Sequence, residues 1–202
     1  MAGRHTPSRP QDASHGTPMP RKRATTIVPD GRLVLAGSEA NSRLLVYMIG
    51  NYVHRLERER RDLYFGDLDL ARVAEIIGTA GVEPGMRDAA FREQHRNFDS
   101  VICVEGQRAV NATSIAGATG IPRETVRRKL QQLLKLGFII EKGRARYILK
   151  PGVMQQPARQ AAFARGIQQT VHFMNECLEH GVLQWVPAGK TKRSPGNKTG
   201  SS

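Results

Sequence analysis

A chain of 202 residues with 31 Lys+Arg against 18 Asp+Glu carries a formal net charge of +13, and 39% apolar residues suffice for one modest core with additions. The greasiest stretch, 44–49, is far shorter than the roughly 20 residues a membrane span needs, and no apolar block follows the N-terminal basic residues, so neither a span nor a secretory leader is expected. Cys103 and Cys177 supply neither a disulfide framework nor a four-ligand zinc site, which leaves a cytoplasmic, basic protein as the expectation.

Residues 1–37 are rich in Pro, Ser, Thr, His and Gly and include Arg21, Lys22 and Arg23. Apolar surface there is too scarce to offset the entropy of ordering, so a disordered basic arm is expected. Residues 38–100 read as an N-terminal helical scaffold. Ser38 is placed to cap a helix running to about residue 61, with Leu45, Met48, Tyr52 and Leu56 on one stripe. Asp67 or Asp69 is placed to cap a shorter helix bearing Leu70, Val73, Ala74 and Ile77, which Gly78 and Gly81 should stop. Pro84 and Gly85 then mark a turn before a third helix over about 86–98. The stretch 68–85 also offers helix, glycine and a further helix, but its block is net acidic and lacks a following hairpin, so it reads as scaffold.

Residues 101–152 hold 10 basic and 3 acidic side chains, more than half the excess charge in a quarter of the chain. The segment is apolar, periodic and well punctuated, so its charge should be displayed on a folded surface, the footprint of a phosphate-backbone binder. Asn111 can cap a short helix reaching residue 118, Gly120 permits a left-handed turn, and Ile121 plugs the corner. Pro122 opens a second helix whose Val126, Leu130, Leu133 and Leu134 form the apolar stripe. Glu124, Arg128, Gln131 and Lys135 fall opposite, with Thr125 and Arg127 flanking. Gly137 ends that helix, and 138–141 and 145–149 read as two short strands around Lys142, Gly143 and Arg144.

The order helix, tight turn, helix and basic hairpin, in "NATSIAGATGIPRETVRRKLQQLLKLGFIIEKGRARYIL", resembles the DNA-reading core of bacterial winged helix-turn-helix transcription regulators, notably the IclR-like and MarR-like families. The matching features are Ala116 four before Gly120, Ile121 after it, Val126 five further on, and the Leu-Gly-Phe-Ile exit into the hairpin; the likeness covers about 40 residues. It implies a mainly α fold with a small β-hairpin, a winged helix-turn-helix flanked by N- and C-terminal helices. It also implies a sequence-specific regulator of transcription that binds double-stranded DNA, without enzymatic activity, metal or cofactor. In such a unit Arg123, Glu124, Thr125 and Arg128 would reach base edges in the major groove. Thr113, Arg127 and Lys135 would hold phosphates, with Gln131 and Lys142 beside them, and Arg144 and Arg146 on the wing would meet the adjacent minor groove or backbone. The alternative is a winged helix serving as a protein-interaction or RNA-binding module without operator specificity.

Residues 153–186 form a C-terminal amphipathic segment, helical from 157 to about 183, with Phe163, Ile167, Val171, Met174 and Leu178 at spacings of three and four. Because specific operators are usually read by two-fold dimers, this stripe, with Leu45, Met48, Tyr52 and Leu56, is the expected homodimer surface. Packing of both stripes within one protomer is the alternative. A small-molecule effector enclosed by 38–100 and 157–183 is left open, with Tyr47, Tyr52 and His54 near such a cleft. His172, Glu176 and His180, with Cys177 beside them, match no metal spacing and read as a polar helix face. Residues 187–202 are expected to be a second disordered tail.

Overall fold

The computed structural model describes residues 30–36 and 41–188. The chain is mainly helical, with two small sheets of two strands each among the described residues. In chain order the elements are β1 (Gly31–Leu35), α1 (Ser42–Leu63), α2 (Leu68–Arg87), α3 (Ala89–Gln94), α4 (Ala112–Thr119), α5 (Arg123–Lys135), β2 (Ile139–Glu141), β3 (Tyr147–Leu149), a single 3-10 turn (Val153–Gln155), α6 (Pro157–Glu179) and β4 (Leu183–Pro187).

Ser38 lies outside the described residues, and α1 starts from Asn41. Asp67 does cap α2, its carboxylate accepting from the Leu70 N–H at 2.9 Å. The stop expected at Gly78 and Gly81 does not occur, for α2 runs on through both glycines and through Pro84 and Gly85 to Arg87. Gly78 and Gly85 sit at close approaches instead of ending the helix. A Cβ on Gly78 would lie 2.9 Å from Leu149 Cδ1, and one on Gly85 would sit 2.6 Å from the Phe91 ring. Each glycine costs about 1 kcal/mol of helix propensity, and at Gly78 packing against Leu149 of β3 offsets that loss. The third helix shrinks to the six residues of α3, opened by Asp88, which accepts from Phe91 N at 2.8 Å.

Strands β2 and β3 pair antiparallel, with Ile139 opposite Leu149, Ile140 opposite Ile148 and Glu141 opposite Tyr147. Val110 adds a short third edge, exchanging both backbone hydrogen bonds with Tyr147 at 2.8 and 3.0 Å. Both strands are shorter than expected: β2 begins at Ile139, and Ala145, at a left-handed φ of 52°, leaves β3 to begin at Tyr147. At the two ends, residues 31–35 of the expected arm are strand, paired with β4, and α6 stops at Glu179 rather than near 183. Gly181, at φ 64°, turns the chain into β4. The remainder of the arm and the tail from residue 189 lie outside the described residues.

One core joins Leu70, Val73, Ala74 and Ile77 of α2 to Val110, Ile115, Ile121, Val126, Leu130, Leu133, Ile139 and Tyr147. It therefore runs across the boundary expected at residue 100, and α2 is the helix on which α4, α5 and the hairpin rest. A second cluster packs α1 on α6 through Met48, Cys177 and Val182, with Leu44, Leu45 and Phe173 around them. Tyr52 stacks on Phe173 at 4.7 Å, and its hydroxyl meets that of Thr170 at 2.8 Å. The stripe of Leu45, Met48 and Tyr52 is thus spent inside the protomer, which corrects its assignment to a dimer surface.

Arg159, at the start of α6, is 4% exposed and has no carboxylate partner among the described residues. Its guanidinium lies 4.0 Å from the Phe138 ring centroid and donates to the Tyr64 hydroxyl at 3.1 Å. Two aromatic faces and a phenol oxygen replace its water, and they tie α6 to the end of α1 and the entry of β2.

Candidate nucleic-acid interface

The turn between α4 and α5 is built from local chemistry. Asn111 caps α4 by accepting from the Ser114 N–H at 2.9 Å, and Gly120 ends it at φ 72°, a conformation that costs other residues roughly 1–2 kcal/mol. Thr119 Oγ1 donates to the Ile115 carbonyl at 2.8 Å and accepts from the Ile121 N–H at 3.2 Å, which closes the corner. Ile121 is buried there as expected. Pro122 is the residue before α5 and offers no side-chain cap, so the first N–H groups of α5 have no partner within the helix. They form a positive helix end turned toward whatever approaches.

Helix α5 segregates its two faces sharply. Val126, Leu130 and Leu133 are buried, each contributing about 1.5–3 kcal/mol. Arg123, Glu124, Arg127, Arg128, Gln131 and Lys135 are exposed. Thr125 is half-buried and accepts from Arg128 Nη2 at 3.3 Å. Glu124 accepts from Arg127 Nη1 at 2.6 Å, an exposed pair on one helix face that is worth only about 0.3–0.5 kcal/mol and opens readily. Lys129, which the sequence reading assigned no part, pairs with Asp67 and pins α5 to the start of α2. Burial alone would raise the Asp67 pKa, but the hydrogen bond from Lys129 and that from the Leu70 N–H outweigh it and hold the carboxyl below its ordinary 3.8.

The hairpin turn is set by Gly143 at φ 82° and by Glu141, whose carboxylate accepts from the Ala145 N–H at 2.6 Å. Arg144 and Arg146 are exposed beyond it. Together with Thr113, Arg123, Arg127 and Gln131 they line one cleft of about 440 Å³ between the start of α4, the outer face of α5 and the hairpin. No carboxylate lines this cleft, and the guanidinium groups of Arg123, Arg144 and Arg146 have no hydrogen-bond or ion-pair partner among the described residues. Six of the eleven expected contact residues therefore converge from three elements. Glu124, Thr125, Arg128 and Lys135 lie on α5 outside the cleft wall.

Lys142 departs from its expected part. Its ammonium donates to the carbonyls of Val104 at 2.6 Å and Gln107 at 2.9 Å, binding the 101–107 segment to the hairpin. No sequence signal pairs those carbonyls with Lys142, since the contact spans more than thirty residues and involves only backbone on one side.

Elsewhere, His172 Nε2 lies 3.5 Å from Glu176 Oε1, and Arg55 Nη2 is 3.3 Å from Glu176 Oε2. Burial, then the neighbouring Glu176 charge, raises the Cys177 thiol above its ordinary pKa, so it is a protonated core residue at neutral pH. Among the described residues no group of His, Cys, Asp or Glu is placed to hold a metal ion, and no helix is long and apolar enough to cross a membrane. The chain matches no protein-family model, no curated protein and no solved structure.

Proposed function

We propose that this protein is a cytoplasmic, sequence-specific double-stranded DNA-binding regulator of transcription, in which α2, α4, α5 and the β2–β3 hairpin act as a winged helix-turn-helix. The observation that carries the reading is the carboxylate-free cleft where Arg123 and Arg127 of α5 face Arg144 and Arg146 of the wing. A helix of this size fits the major groove, and residues near its N-terminus reach base edges. Arg123, Thr125 and Arg128 occupy that end of α5. The wing arginines are spaced to hold the flanking backbone or minor groove. A-form RNA has a major groove too narrow for such a helix, which favours duplex DNA.

Two-fold pairing completes the proposal. Ile167, Val171 and Leu178 fall on one face of α6 and are 58%, 53% and 40% exposed. Val46, Ile49 and Val53 of α1 do the same at 70%, 42% and 41%. These side chains, rather than the inward stripe of α1, form the homodimer surface.

Selection of duplexes from a random pool tests the reading. The wild-type chain should enrich a two-fold symmetric site with half-sites about one helical turn apart. Arg123→Ala or Arg128→Ala should relax base preference at one position per half-site, and Arg144→Ala should weaken all duplexes alike. Equal affinity for single-stranded RNA and duplex, or enrichment of no sequence, would overturn it.

A further inference from the structure

A second cavity, of about 420 Å³, lies behind the hairpin. Its walls come from Val82 of α2, Phe98, Leu149 of β3, Met154 and Phe163 of α6, with Phe98 and Phe163 stacked at 5.2 Å. It is a half-open cleft with mainly apolar walls, and its size falls within the range of small-ligand pockets. Gln107 also lines it. Its Nε2 donates to the carbonyls of Ile102 at 3.2 Å and Leu149 at 3.1 Å, while its Oε1, in a residue 5% exposed, has no partner among the described residues. A buried orphan acceptor costs about 1–3 kcal/mol unless a water or an occupant donates to it.

The charged groups around the cavity favour one sign. Arg96 and Lys150 line it; Arg96 lies 3.5 Å from Glu93, whereas the Lys150 ammonium has no partner among the described residues. The single carboxylate in the lining, Glu75, is held by Arg60 at 2.7 Å. We infer that this cavity binds a small, mainly apolar molecule bearing one acidic group, whose apolar body lies among Val82, Phe98, Leu149 and Phe163 and whose acid faces Lys150. The site is wired to the wing. Leu149 belongs to β3, Gln107 holds the Leu149 carbonyl, and Lys142 holds the Gln107 carbonyl from the base of the hairpin turn. An occupant that displaces Leu149 moves the strand that carries Tyr147 and, one residue before it, Arg146.

Only the consequence for DNA rests on the proposed function; the binding itself is tested without DNA, so the two can fail separately. The full chain, with labelled backbone amides and labelled Ile, Leu, Val and Met methyl groups, is titrated with octanoate and with octan-1-ol in an NMR experiment. Octanoate should shift the Val82, Met86, Leu149 and Met154 methyls saturably, with the Ile148 methyl and the Arg146 amide following. Octan-1-ol should bind at least tenfold more weakly, and Lys150→Gln should erase that difference. Val82→Trp should abolish saturable binding; if it fails to fold, Thr79→Trp, from an exposed position on the lining, should do so instead. Equal affinity for the alcohol, shifts confined to Val46, Ile167 and Val171, or an Ile148 and Arg146 pair that stays still would each overturn the inference.

Discussion

The α5–hairpin face and the α1–α6 pair are both amphipathic, yet they dispose of their apolar residues differently. On α5 Val126, Leu130 and Leu133 are buried and Leu134 half-buried, and what the helix exposes is polar or charged. On α1 and α6 the protomer buries Met48, Phe173 and Cys177 and leaves a second set of aliphatic side chains in water. A face exhausted by its own core can only meet a partner through charge and hydrogen bonds, which suits phosphate. A face with apolar residues left over calls for another apolar face. The proposed function rests on this contrast, with nucleic acid proposed for the charged face and a second copy for the apolar one.

Breaking the apolar end should have the largest effect. Ile167→Asp with Val171→Asp should convert dimer to monomer by light scattering and lower affinity for a symmetric duplex by about a hundredfold or more, through lost avidity rather than lost contacts. An unchanged oligomeric state would erase the contrast. At the charged end, Arg144→Ala with Arg146→Ala should weaken binding by roughly tenfold or more at moderate salt. The slope of log affinity against log salt should drop by about two, as two phosphate contacts disappear. The fold should survive, since both side chains are exposed.

Between the two ends stands Arg159, whose replacement by Ala should cost about 2 kcal/mol in denaturant unfolding, because a desolvated cation–aromatic contact and the packing of its stem are both lost. Gly120→Ala should cost about 1–2 kcal/mol, all of it conformational, since a Cβ there meets nothing within 4 Å. Asp67→Asn sharpens the comparison least, at about 1 kcal/mol. The folded pKa of Asp67 lies below its unfolded value, so its contribution is complete above about pH 4 and is lost as pH falls through the folded value. The wild-type advantage over Asp67→Asn should therefore be full at neutral pH and shrink on acidification below about pH 4, as read by thermal melts.

The sequence was most legible where the deciding interactions are local. Asn111, Gly120, Ile121 and the Val126–Leu130–Leu133 stripe act within one or two turns of their own chain, and each occupies its expected place. Gly78 does not stop α2 as expected, and its close neighbour, Leu149, is far along the chain; at Gly81 a Cβ would meet only ordinary contacts, and nothing local ends the helix there. Strands β1 and β4 escaped because neither alternates cleanly, with Leu35 and Trp185 both exposed, and each is a strand only by virtue of the other. Of the candidate contact residues, periodicity could place Arg123 and Arg127 on an outer face but could not show Lys142 turned toward two carbonyls.

By itself the sequence determined the segregation of charge and the helix–turn–helix–hairpin order, because helix periodicity, a left-handed glycine and a capping asparagine are consequences of backbone geometry within a few residues. Tertiary structure alone decided that α2 passes uninterrupted beneath the hairpin, that one stripe of α1 turns inward and another outward, and that a cleft remains behind the hairpin. Those outcomes depend on which surfaces meet across long loops, and side-chain volume at one position has meaning only against the partner that folding brings to it.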